Sequence, residues 1–308
     1  MKKTLVALAA LAATGAFAQV TITGGVRAAL QNTGVANAQT TVDANDVAAN
    51  NLMITAVEDL GGGMKVTGSY LMRNDITTGA VSPATTATLT APTAGLWRNT
   101  YIALDGGFGQ VKAGRWGNGG QFAFDAFGAT GIVAPYVNAG GGRYNNMVQY
   151  QTPTMSGFSA QIGASMSGAT AGNEEGSWLY LNYSNGPLAA RVLSEKNQAA
   201  TASQTQGTGV SASYDFGVAK ALVSYARTVN ISTSAASAEG FSLGATAPMG
   251  AATLKIGFAN NYTATTPNTV VGVGVNYALS KTSGFFFDAG KTSTLSNMTW
   301  QLGIEKYF

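Results

Sequence analysis

The side chains able to act on a ligand are charged and widely spaced: Arg27, Lys65, Arg73, Lys112, Arg115, Asp125 and Arg143. The sequence contains no histidine and no cysteine. That removes Ser-His-Asp and Cys-His catalysis, thiolate chemistry, disulfides and most zinc sites. Catalytic residues, a metal and a cofactor are therefore not expected. What remains is electrostatics: fixed charges that attract, repel or orient a passing solute. Arginine suits that role because it stays charged at any ordinary pH.

Two of these arginines bracket one unusual stretch. Between Arg115 and Arg143 lie 27 residues, about 116–142, rich in Gly, Ala and Phe, with Asp125 the only charge. A connection that long among short strands is functional or disordered. Phe122, Phe124, Phe127, Ile132, Val133 and Tyr136 argue against disorder, because such residues seek burial.

The elements that must position these groups begin with a leader. Lys2 and Lys3 precede an apolar run from Thr4 to Ala13, then Ala16-Phe17-Ala18. This describes a secretory signal peptide over 1–18, cleaved after Ala18, leaving 19–308 as one domain. Loss of Lys2 and Lys3 takes 17 basic residues to 15 against 14 acidic, a net charge of +1. Nucleic acid is therefore not an expected partner. Only 10% of residues are charged, against about 25% in soluble domains. With 40 glycines and no later apolar run of membrane-helix length, the composition points to a transmembrane β-barrel.

The period supports this. Val20, Ile22, Gly24, Val26, Ala28 and Leu30 alternate with Thr21, Thr23, Gly25, Arg27 and Ala29. Val210, Ala212 and Tyr214 oppose Ser211, Ser213 and Asp215; Leu254, Ile256 and Phe258 oppose Lys255 and Gly257. Val271, Val273, Val275 and Tyr277 oppose Gly272, Gly274 and Asn276. In a barrel the apolar row faces lipid and the other faces water. Seven tight turns recur, at 58–63, 104–109, 152–157, 184–187, 215–217, 248–250 and 280–283. Eight longer polar links alternate with them, near 32–49, 75–96, 116–142, 168–176, 196–206, 229–238, 262–268 and 292–297. Fifteen connections predict sixteen antiparallel strands with the third long loop folded inward. Tyr150, Phe158, Tyr183, Tyr214, Tyr277 and Phe285 sit near the turns and read as an interfacial girdle. The last strand ends in Phe308 on the row of Trp300, Leu302 and Ile304, which resembles the signal read by barrel insertion machinery.

Several stretches resemble the general porins of β-proteobacteria. They are Glu58-Asp59-Leu60-Gly61-Gly62-Gly63-Met64-Lys65, Tyr101 through Gly114-Arg115, Arg143 through Tyr150 with Gly157-Phe158, Tyr183-Ser184-Asn185-Gly186-Pro187-Leu188, and Tyr277-Ala278-Leu279-Ser280-Lys281. The resemblance implies a homotrimeric sixteen-stranded pore in the Gram-negative outer membrane, through which small hydrophilic solutes and ions diffuse passively. Its partners would be the lipid bilayer, lipopolysaccharide, the insertion machinery and the solutes. Asn51 stands where the family usually carries a pore arginine, and Lys306 where histidine is common.

Parity then places charge. Arg27, Lys65, Arg73, Lys112, Lys220 and Lys255 fall on polar rows, and Arg143 shares a row with Asn145, Met147 and Gln149. Arg115 has the lipid parity, but a chain turning inward there would bring it to the pore; Arg98 is ambiguous. Asp43, Asp46, Asp75, Glu174, Glu175 and Glu239 lie outside the predicted strands. A basic wall facing a loop with only Asp125 predicts mild anion preference. The alternative role for Arg115 and Arg143 is to pin the third loop by hydrogen bonds to its carbonyls, and both roles can hold. A substrate-specific channel, with Trp116, Tyr136 and Tyr144 near the constriction, and a structural or adhesive barrel are the alternatives.

Overall fold

A computed structural model describes residues 19–43, 50–77, 97–117, 126–127, 133, 135–137, 139, 143–166, 175–198, 204–262 and 267–308. The strands are β1 (Gln19–Asn32), β2 (Thr41–Asp43), β3 (Asn51–Gly61), β4 (Met64–Arg73), β5 (Asn99–Gly106), β6 (Gly109–Gly117), β7 (Arg143–Gln151), β8 (Phe158–Ser165) and β9 (Glu175–Asn185). They continue as β10 (Leu188–Gln198), β11 (Thr205–Asp215), β12 (Lys220–Asn230), β13 (Ala236–Met249), β14 (Ala252–Asn261), β15 (Asn268–Ala278), β16 (Ser283–Thr292) and β17 (Thr299–Tyr307). Setting aside the three-residue β2, sixteen strands close into one antiparallel barrel, as the alternating connections predict. The predicted leader, 1–18, lies outside the described residues.

Alternation fixes the two faces. Val271, Val273 and Tyr277 are exposed on the outside, while Gly272 and Val270 face in. The same holds for Leu254 and Ile256 against Lys255 and Gly257. The tight turns carry the chemistry expected of them. Asp59 Oδ1 accepts the Gly61 N–H at 2.8 Å, and Gly61, Gly62 and Gly63 take φ of 78°, 63° and 78°. Only glycine adopts that run cheaply. The aromatic girdle packs at this rim: Phe158 lies 4.5 Å from Tyr183, and the Tyr150 hydroxyl donates to the Phe108 carbonyl at 2.6 Å.

Closure depends on β1, which changes partners along its length. Gln19 to Gly25 pair with β3, and Gly25 to Asn32 pair with β17. Beyond Gly25 the β3-facing edge has no full-length neighbour. β2 covers Ala29 to Gln31, and Asn50 fills the gap below it. The Arg27 N–H donates to Asn50 Oδ1 at 2.7 Å, and Asn50 Nδ2 donates to the Arg27 carbonyl at 3.1 Å. A buried side-chain amide thus replaces one ladder step. Phe308 completes the seam, exchanging backbone bonds with Gly24 at 2.9 and 3.0 Å, its ring exposed on the outward side.

Asn50→Ala should strand one buried N–H and one buried carbonyl, a cost of about 2–4 kcal/mol. The expected outcome is a lower urea midpoint for the refolded barrel, followed by the heat-dependent shift of its electrophoretic mobility.

Candidate pore constriction

The described residues of the third loop, among them Ala126, Phe127, Val133, Pro135, Val137 and Ala139, lie against the inner wall of β11 to β16. That wall carries glycine where the loop lies. Gly244, Gly257, Gly272 and Gly290 are register neighbours on β13, β14, β15 and β16. A Cβ at Gly257 would stand 2.5 Å from Pro135 and 3.0 Å from Phe127. One at Gly272 or Gly290 would stand 2.5 Å from Val133, and one at Gly240 2.9 Å from Val137. Phe127, Val133, Val137 and Ala139 are buried there. Burying a Val or Phe side chain is worth about 1.5–3 kcal/mol, so the described part of the loop is anchored by packing.

Beside this seat lies an ionic cluster. Lys255 Nζ is 2.7 Å from Asp288 Oδ1, and Arg27 Nη2 is 3.9 Å from Asp288 Oδ2. Arg27 Nε is 3.9 Å from Glu305, and Gln301 Nε2 donates to Asp288 Oδ2 at 2.8 Å. Arg27 also lies 3.5 Å over the Phe286 ring, and Lys255 lies 4.9 Å over Phe127 of the loop. Arg27 is only 4% exposed. Buried charges persist when paired, and here two cations meet two carboxylates.

The opposite wall, β5 to β10, is built of aromatics and cations. Trp116 packs edge-on to Tyr101 at 6.1 Å and to Trp178 at 6.4 Å, and Tyr144 stacks on Trp178 at 6.2 Å. Lys112 Nζ stands 4.2 Å over Trp116 and 4.7 Å over Tyr101. Arg191 Nε donates to Asn182 at 2.6 Å, with its guanidinium 5.6 Å from the Tyr180 ring. Glu195, fully buried, accepts the hydroxyls of Tyr144 and Tyr180, each at 2.8 Å, beside Asn197. The lumen therefore has an apolar, charge-neutralised side under the loop and a side that presents cations on aromatic backing.

A family profile described as Gram-negative porin matches residues 4–295. This chain belongs to the Gram-negative porin family. It is 31% identical over 248 residues to outer membrane porin protein 32 of Delftia acidovorans, covering 71% of this chain and 68% of that protein. A shorter match, 39% over 109 residues, links it to an outer membrane porin protein of Bordetella pertussis, covering 29% of this chain and 28% of that one. Its fold is similar to that of an anion-selective porin from Comamonas acidovorans, with a TM-score of 0.76 at 21% identity over 95% of this chain and 100% of that one. It is also similar to a trimer form of OmpT from Vibrio cholerae, with a TM-score of 0.70 at 14% identity over 94% and 99%. As a member of this family the porin is an outer-membrane channel.

The porin places the charges picked by parity in several ways. Arg27, Lys112 and Lys255 project inward as described. Lys65 is inward at the turn rim, opposite Asp59 and Asp105 in register, and Arg73 is inward near the loop rim opposite Asn51. Asp125 lies outside the described residues, as does the side chain of Arg143. Arg115 is a correction. β6 continues to Gly117, so the chain does not turn inward at Arg115. The residue pairs with Thr100 on an outward row, and its Nη1 donates to Asn145. A bulge explains part of this: Gly114 pairs with Met147 but Trp116 with Tyr144, so Asn145 and Asn146 together oppose Arg115. Asn146 takes φ of 52°. The same bulge breaks the row that joined Arg143 and Asn145 to Met147 and Gln149. Arg143 instead enters β7 opposite Gly117.

The acids are corrected as well. Asp43 lies in β2, Glu175 in β9, and Glu239 in β13 pointing outward to Arg227 at 3.5 Å. The inward acids Glu195, Asp288 and Glu305 and the inward Arg191 escaped the sequence reading. On β10 both rows are mixed: Arg191, Leu193 and Glu195 face in, while Val192, Ser194 and Lys196 face out. Hydropathy alone cannot orient such a strand. Clean apolar parity carried across from β9 and β11 could have done so.

Gly257→Val would force the loop off its seat at an overpacking cost of about 1–3 kcal/mol. Single-channel recording should then show a larger or noisier conductance from a barrel that still runs as folded before heating.

Proposed function

We propose that this porin conducts ions and small hydrophilic solutes by passive diffusion, with a mild preference for anions. The observation that carries the reading is the uneven lumen. Lys112 and Arg191 project from the wall facing the loop and Arg73 points inward on the neighbouring β4, whereas Asp288 and Glu195 are buried against their partners. Charges lining a passage set selectivity, and low-dielectric walls strengthen their field. The likeness to an anion-selective porin supports the sign. A substrate-specific channel gains less support. Trp116 is 3% exposed and Tyr144 2%, so neither offers a ring face to a solute.

The working unit is a homotrimer. The exposed apolar rows Val20 to Leu30 and Leu302 to Ile304 suit a protein neighbour, and a similar fold is known in a trimer form. Residues 1–18 are the leader, removed after Ala18 on export. Phe308, on the outward face, is the group that insertion machinery would read, and lipopolysaccharide contacts the loop rim.

Reversal potentials in a potassium chloride gradient test this reading. The unmodified porin should favour chloride, and Lys112→Glu should move the potential toward the potassium side. A clear potassium preference in the unmodified porin would reject the proposal. Conductance should rise linearly with salt and remain unaffected by neutral sugars; blockade by one sugar or acid would favour the substrate-specific channel.

A further inference from the structure

The two outer rims of the barrel differ chemically. At the turn rim the outward rows end in aromatics such as Tyr150, Phe158, Tyr214 and Tyr277. At the loop rim four outward rows end in a cation. Val111 and Ala113 lead to Arg115 on β6, and Val192 and Ser194 to Lys196 on β10. Val223 and Tyr225 lead to Arg227 on β12, and Phe287 and Ala289 to Lys291 on β16. Register fixes the orientation. Arg115 pairs with Thr100, Lys196 with Ser177, Arg227 with Glu239 and Lys291 with Val271, all on outward rows. Each cation stands one or two outward positions beyond the last apolar side chain. That is the height at which hydrocarbon gives way to headgroups.

Three of the four are held in place by neighbours. Arg227 Nε lies 3.5 Å from Glu239, yet its side chain is 47% exposed. Glu239 in turn accepts the Tyr225 hydroxyl at 2.5 Å and the Tyr262 hydroxyl at 3.4 Å. Desolvation and the Glu239 charge push Tyr262, just past β14, above the usual tyrosine range. Lys291 Nζ donates to the carbonyls of Leu295 at 2.5 Å and Asn297 at 3.3 Å, and Arg115 donates to Asn145. The exposed Lys196 completes the set.

The sector from β17 through β1 to β4 supplies a contrast. Its outward positions toward the loop rim are Trp300, Leu302, Leu30, Val42, Leu52 and Met72, without a cation there among the described residues. Lys306 on β17 is outward too, but it stands at the turn rim and donates to Thr282 Oγ1 at 2.6 Å.

We propose that Arg115, Lys196, Arg227 and Lys291 form a belt that binds the phosphates of anionic lipid in the loop-side leaflet. Cations at this height attract such headgroups, and guanidinium matches phosphate oxygens in a bidentate fork. The belt rests on the membrane-barrel reading, gives its lipid contact specific residues, and leaves the β17–β4 sector to a protein neighbour.

Native mass spectrometry of the purified porin with bisphosphorylated lipid A and with its dephosphorylated form tests the belt. The phosphorylated lipid should be retained preferentially. Combining Arg115→Gln, Lys196→Gln, Arg227→Gln and Lys291→Gln should weaken its retention about fivefold per site. Single-channel conductance should stay unchanged. Equal retention of the two lipids, or undiminished retention by the combined variant, overturns the belt and leaves the channel intact. Loss of conductance in the unmodified porin would instead count against the channel reading. If the combined variant does not fold, Lys196→Gln with Lys291→Gln carries the same comparison with the same two outcomes.

Discussion

Hydrocarbon offers no hydrogen-bond partner to a peptide group, and this single constraint organises the porin. Every strand within lipid must find its bonds in another strand, and the sheet must meet itself. The junction falls at β1, which takes β3 as neighbour over one half and β17 over the other. Where neither β3 nor β2 reaches, the Asn50 amide supplies both a donor and an acceptor to Arg27. An unpaired group at that depth costs several kcal/mol, so the substitution of side chain for backbone follows from the solvent.

Inside the barrel the opposite problem arises. A water-filled cylinder needs something to narrow it, and a loop that enters the lumen must itself be held. Glycines in register across β13 to β16 let loop and wall approach closely. Next to them, Arg27, Lys255, Asp288 and Glu305 offset one another's charge. The far wall is free to present Lys112 and Arg191 over aromatic rings, where the rings stabilise a cation without cancelling its charge. One wall thus supports the loop and the other shapes the field.

Much of this was legible in the sequence because two solvents write a period of two. On β11, β14 and β15 the apolar rows are clean, and inward and outward residues fall as the alternation says. The strand count followed from short and long connections taking turns. The failures have specific causes. Parity cannot survive an extra residue, and the bulge at Asn145 and Asn146 inverts it for the chain before Met147. On β10, Leu193 faces in against the packed interior and Lys196 faces out. The glycine seat is invisible to hydropathy. Gly257 and Gly272 sit on inward rows and read as merely small; their purpose emerges only once Pro135, Phe127 and Val133 lie over them.

The handover along β1 also has a kinetic side. Its neighbour β3 is close by in sequence, but the ladder with β17 joins residues as far apart as Gly25 and Tyr307. Contacts that distant form late and slowly, because the intervening segment must be ordered first. Until then β1 and β17 each expose a raw edge able to recruit foreign strands. A nascent barrel of this design passes through a sticky, open-sided stage, and its yield depends on how briefly that stage lasts.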